Sequence, residues 1–182
     1  MNAKSIKFIL DKMDDRMEQH SNNTACLCYA MGKAINCNMQ EVEELWFAGT
    51  LLECGKLVIN KKIRRKVDVN VPEDECEKKY ILYSSALVNN IPGLKNVAKI
   101  LYQAEENVDG TGEPNHIVGS EIDTLAKVVR IAAYYDNLRL DGISHEDACK
   151  KLREQSDKIF PKKIITPFIK CVIKNDLHKD YE

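Results

Sequence analysis

Residues 100–114 read ILYQAEENVDGTGEP. An apolar stretch at helical spacing runs into an acidic pair, and then into a turn in which Gly110 and Gly112 alternate with Asp109, Thr111 and Glu113. Glycines so placed serve a tight turn or a positive φ, so the segment predicts a helix from about Leu94 to Glu105 followed by a sharp reversal. Working outward, helical periodicity continues on both sides. Downstream, helices are expected at about 122–138, 144–157 and 161–175, with Ser144 opening an S-x-x-D cap and Pro161 in the first turn of the last. Upstream, Ile6, Ile9, Leu10, Met13 and Met17 form one stripe of a first helix. A second is expected from Ser21, as N-cap, to about Asn36, and a third from about Asn38 carrying Val42, Leu45, Trp46, Leu51 and Leu52. A fourth follows Pro72 and reaches about Asn89, where Pro92-Gly93 punctuates the chain. Residues 57–72, with the basic run KKIRRK at 61–66, read as a long loop. No alternating strand pattern competes. The fold class expected is all-α, a bundle of about eight helices.

The 182 residues suit one domain, 1–182, within the usual span of about 100–200 residues. Net charge is -1, which gives no electrostatic reason to expect nucleic acid or an anionic membrane as partner. No apolar run approaches the ~18 residues of a spanning helix, and the charged N-terminus does not read as a signal peptide, so a cytoplasmic protein is expected. Seven scattered cysteines without a C-x-x-C pair read as free thiols in a reducing compartment. Cys26 and Cys28, two apart in a helix, do not share a face.

The quoted segment resembles the HD-GYP family segment in which two adjacent histidines and a glutamate precede D-G-T-G-Y-P. The likeness continues without a gap. GSEIDTLAKVVRIAAYYDNL (119–138) is similar to the family helix ending in A-D-x-Y-D-A-L, and ISHEDACKKLREQS and FPKKIITPFIKCV to its closing helices. HSNNTACLCYAMGKAI and FAGTLLECGKL fit the surroundings of the H-D-x-G-K motif. The resemblance covers about residues 16–175 and implies an HD-domain-like helical bundle. It also implies phosphodiesterase chemistry on cyclic di-GMP, run by two or three iron or manganese ions that activate water and hold the phosphate. Such a centre needs a cage of imidazoles and carboxylates.

The positions that the resemblance assigns to that cage are mostly empty of donors. His20 stands at the first histidine, with Arg16 where some members place a carboxylate one turn earlier. The H-D pair becomes Leu52-Glu53, with Gly55 and Lys56 keeping the rest of the motif. A further histidine position falls near Tyr80, the adjacent histidines become Ala104-Glu105, the later aspartate becomes Ala133, and the tyrosine of G-Y-P becomes Glu113. Leu52, Ala104 and Ala133 have no lone pair to offer, so no catalytic residue, metal or other cofactor is expected. These three are expected to converge on one region, with Leu52 filling the vacated space. Glu53 is expected at its rim, paired with Lys56 or Lys127, because an unpaired buried carboxylate is costly. His20 reads as a histidine satisfied by a neighbour, and His116, His145 and His178 as surface residues.

Three functions compete at this point. The first is an inactive signalling or scaffold module in bacterial signalling, whose partners are other signalling domains or a second copy. The second is a sensor that binds cyclic di-GMP or another nucleotide, without hydrolysis, near Lys56, the turn Asp109-Gly110-Thr111-Gly112-Glu113 and Lys127. The third is a metal-dependent phosphodiesterase with a rebuilt site.

Overall fold

A computed structural model describes residues 3–59 and 80–181. Among the described residues it is helical throughout, with no named strand. Helix α1 spans Ala3–Leu10, α2 Asp15–Ala34, α3 Met39–Leu51, the short α4 Lys56–Ile59, α5 Tyr80–Asn89 and α6 Lys95–Tyr102. After the turn come a 3-10 segment Gly119–Glu121, α7 Thr124–Leu140, α8 His145–Glu154, α9 Lys162–Lys174 and a closing 3-10 turn Lys179–Tyr181. Setting aside the four-residue α4, eight helices of at least eight residues are found among the described residues, in line with the bundle of about eight that the periodicity predicts.

Local chemistry fixes several of the starts. Asn38 caps α3 in a full capping box with Glu41. Ser144 caps α8 by accepting from the Asp147 amide at 3.1 Å, and Asp123 caps α7. One expected start is wrong. Ser21 does not open the second helix; Asp14 does, accepting from the Met17 amide at 2.9 Å, so the helix begins two turns earlier. Ser21 is buried within the helix, and of the residues expected on one stripe with Ile6, Met13 lies in a break at residues 11–14 and Met17 belongs to the next helix. The fifth expected helix also stops early, at Tyr102, which leaves Ala104 and Glu105 on its exit turn. The start expected for the fourth helix at Pro72, the KKIRRK run and Cys76 lie outside the described residues.

The long α2 is the axis of the fold. It packs against α3, α7 and α9, while α5 packs on α6. The core they enclose includes Leu27, Met31, Leu45, Leu52, Leu101, Val128, Ile131, Tyr135 and Phe168. No helix among the described residues is long and apolar enough to cross a membrane.

Candidate functional site

The middle of α2, the α3–α4 corner, the start of α5, the exit of α6 and the middle of α7 carry the positions singled out in the sequence. The corner is built by close approach. Gly55 lies so near α5 that a Cβ there would meet the Tyr80 carbonyl at 2.0 Å and the Ser84 amide at 2.5 Å. Ser84, fully buried, donates to the Leu52 carbonyl at 2.6 Å and accepts from the Gly55 amide at 2.8 Å. The glycine of the motif is thus retained by packing, independently of any chemistry beside it.

Leu52 is 1% exposed and Ala104 2% exposed, both within the main apolar cluster, and half-buried Ala133 packs against it. Leu52 and Ala104 thus present almost no surface to solvent. Leu52 fills core volume where the resemblance places a histidine.

Two carboxylates nearby have resident cations. Glu53 pairs with the Lys56 ammonium, which also lies 4.7 Å from the centre of the Tyr80 ring. Lys56 is thus the partner, whereas Lys127 instead donates to the Ile122 carbonyl, its pKa lowered by burial. Glu53 is not at a rim, as expected, but buried, with only its partner reaching solvent. Glu105 pairs with Arg130 of α7, one turn before Ala133. Burial raises the Glu105 pKa, and the guanidinium opposes that rise. Tyr80 is half-buried, and burial first, then the charges of Glu105 and Glu53, push its pKa up. Glu53, Tyr80 and Glu105 are therefore electrostatic neighbours.

His20 is buried, and its Nδ1 stands 2.5 Å from Asp136 Oδ2 on α7. Its neighbour is therefore Asp136, which the sequence reading passed over; the available signal was its place at the second aspartate of the A-D-x-Y-D-A-L segment. The other Asp136 oxygen accepts from the Tyr181 hydroxyl. His20 Nε2 is buried without a hydrogen-bond partner. Among the described residues no group of three or more His, Cys, Asp or Glu side chains is placed to hold a metal ion. A di-metal cage does not fit this donor set: three positions are hydrocarbon, and Glu53 and Glu105 already answer to Lys56 and Arg130.

The turn is an ordered element. Asp109 Oδ1 accepts from the Thr111 amide at 3.0 Å and from the Thr111 hydroxyl at 2.6 Å, and these bonds hold the carboxyl below its usual range. Gly110 has φ +82°, and a Cβ on Gly112 would meet the Asn107 amide nitrogen at 2.1 Å. Buried Glu106 accepts from the Asn115 amide at 2.7 Å, and the Glu113–Pro114 peptide is cis. Glu113 itself is exposed. Lys56 lines a cleft of about 550 Å³ with Phe8, Met17 and Leu87, to which neither the turn nor Lys127 contributes.

Two histidines are not simple surface residues. Half-buried His145 and His178 lie with ring centres 5.1 Å apart, and only His116 is exposed as expected. Cys26 is exposed and Cys28 buried, as two-residue spacing on a helix requires.

Comparison with known proteins agrees with this geometry. Residues 4–162 match the family described as HD domain. The chain is 27% identical over 159 residues to the cyclic di-GMP phosphodiesterase PdeB of Borreliella burgdorferi, covering 84% of this chain and 42% of that protein. It is 25% identical over 162 residues to the 3'3'-cGAMP-specific phosphodiesterase 1 of Vibrio cholerae, covering 81% and 38%. The chain thus spans about two-fifths of the length of these curated relatives. Among solved structures, a cyclic GMP-AMP specific phosphodiesterase of Vibrio cholerae superposes with a TM-score of 0.73 at 16% identity, over 98% of this chain and 49% of that one. An HDG"Y"P protein from Bdellovibrio bacteriovorus gives 0.68 at 20% identity, over 95% and 58%. The helical bundle, the glycine-dependent corner and turn, and the match over most of the chain place this protein in the HD domain family, as a homologue of cyclic di-GMP phosphodiesterases.

Proposed function

We propose that this domain no longer hydrolyses cyclic dinucleotides and instead acts as a signalling or scaffold module, binding other signalling domains or a second copy of itself. The observation that carries this reading is the fate of the donors. Leu52, Ala104 and Ala133 offer no lone pair, and the carboxylates Glu53 and Glu105 are held by side-chain cations rather than left free for a metal. Without metals, no group here supplies a hydroxide at neutral pH or answers charge developing on a phosphate. Under this reading Leu52 stabilises the region by apolar burial, and the surviving function moves to the outer surface, at the Asp109–Glu113 turn.

The test has two arms. Protein purified with manganese or iron present is analysed for bound metal, and is then assayed with cyclic di-GMP and with 3'3'-cGAMP. Expected are no stoichiometric pair of ions and no turnover above a blank. Ala104→His alone should not restore activity, because a multi-ligand centre is lost as a unit. Two tightly held ions per chain at His20 and Glu53, or rescue by that one substitution, sinks the proposal. Calorimetric binding of cyclic di-GMP without turnover would shift the reading to a nucleotide sensor, built around Lys56, the turn and Lys127.

A further inference from the structure

A second cleft, of about 540 Å³, lies where the end of α7, the start of α8 and the C-terminal turn meet, and Arg139, Ser144, His145, Glu146, His178 and Tyr181 line it. Arg139 is 9% exposed, yet among the described residues it makes no ion pair. Its Nη1 donates to the Ile143 carbonyl and its Nη2 to the His178 carbonyl, each at 3.1 Å, and the Tyr181 ring centre is 4.9 Å away. Its Nε is buried with no partner. Asp136, one turn earlier, has already committed its two oxygens to His20 and Tyr181. The guanidinium is thus hydrogen-bonded only to carbonyls, and an anion from solution would give it a charged partner in a low-dielectric wall.

The surrounding groups have the same bias. His178 Nδ1 is buried without a partner. His145 Nδ1 lies 2.8 Å from the Tyr135 hydroxyl, and its Nε2 is 3.5 Å from Cys149 Sγ. Burial, then the charges of His178 and Arg139, lower the His145 pKa; Glu146 opposes this and Arg153 adds to it. The ten-residue α8 begins at this cleft, with its cap Ser144 and the first-turn residues His145 and Glu146 in the wall.

We propose that this cleft is a proton-coupled site for a phosphomonoester or hydrogen phosphate, bound between Arg139 and the His145–His178 pair. Glu146 sets the chemical class. A carboxylate in the wall repels a fully ionised anion such as sulfate, but accepts a hydrogen bond from a phosphate that still carries a proton. The bound anion offsets the repulsion among His145, His178 and Arg139, so His145 takes up a proton as the ligand binds. The site lies apart from Glu53 and Glu105, so it stands or falls independently of whether phosphodiesterase activity is lost.

The test is calorimetry with inorganic phosphate, sulfate and 5'-GMP, each in two buffers of different ionisation enthalpy. Expected are millimolar or tighter binding of phosphate at pH 6.5, at least tenfold weaker binding of sulfate, and net proton uptake that His145→Gln abolishes. If 5'-GMP binds more tightly than phosphate, the ligand is a nucleotide phosphate; if it binds equally, phosphate alone is recognised, and either result supports the site. Arg139→Gln should weaken binding at least tenfold. If circular dichroism shows that variant unfolded, Glu146→Gln is read instead and should erase the preference for phosphate over sulfate. Failure of phosphate to bind the wild-type protein, equal affinity for sulfate, or unchanged binding and proton uptake in His145→Gln overturns the proposal.

Discussion

Leu52 and His145 show how single side chains decide behaviour here. Leu52 is buried among apolar neighbours beside the Ser84 staple. Leu52→His should therefore cost ~2–3 kcal/mol in chemical denaturation, since it removes apolar burial and leaves an imidazole without a partner. Equal or higher stability of that variant would show that the region has room and polarity to spare. For His145 the sign is set by its lowered pKa. Above the unfolded value of about 6.5 both states are neutral and stability is undiminished; as pH falls from there toward the folded value, the unfolded state gains protons first and stability is lost. Urea melts at pH 7.5 and 5.5 should show a smaller acid loss in His145→Gln than in the wild-type protein. The pairing of Glu53 with Lys56 was legible because i, i+3 spacing brings the two side chains together across a single turn. The pairing of His20 with Asp136 was not: 116 residues separate them, and no local pattern reports a partner on another helix. Arg130, which holds Glu105 across 25 residues, was hidden for the same reason.

Among the elements, helix starts were readable where a polar cap met an apolar run, as at Asn38 and Ser144. The start of α2 was misread because two cap-type residues compete. Ser21 precedes an apolar run, but the stretch before it is helical too, and Asp14 satisfies the free amide two turns upstream. Asp14→Ala should lower stability by ~1 kcal/mol in thermal or urea melts, which is the usual loss for a capping side chain. An unchanged midpoint would mean that α2 frays back without consequence. The α3–α4 corner predicts a larger effect. Gly55→Ala must displace the backbone of α5 at Tyr80 and Ser84, so a loss of ~2–3 kcal/mol is expected, accompanied by weakening of the Lys56–Glu53 pair. The glycine motif was visible in sequence; its cause, a helix laid against it, was visible only in three dimensions.

Under the proposed reading no ion holds the bundle together, and its response to chelators should reflect that. A protein that binds metal in its native state loses stability when the metal is withdrawn. Here excess chelator should leave the melting temperature of freshly purified protein unchanged, and a fall of several degrees would restore the case for a resident ion. One more consequence comes from the hydrogen-bonded run Tyr181–Asp136–His20. Its links bridge 45 and 116 residues of chain, in a bundle whose other contacts are largely between helices closer in sequence. Contacts of such separation are slow to find during folding, because the loop between them must close before they repay its lost entropy. The run should thus form after the transition state. Tyr181→Phe would then leave the refolding rate nearly unchanged and raise the unfolding rate, making this buried trio a setting on how long the native state lasts rather than on how fast it is reached.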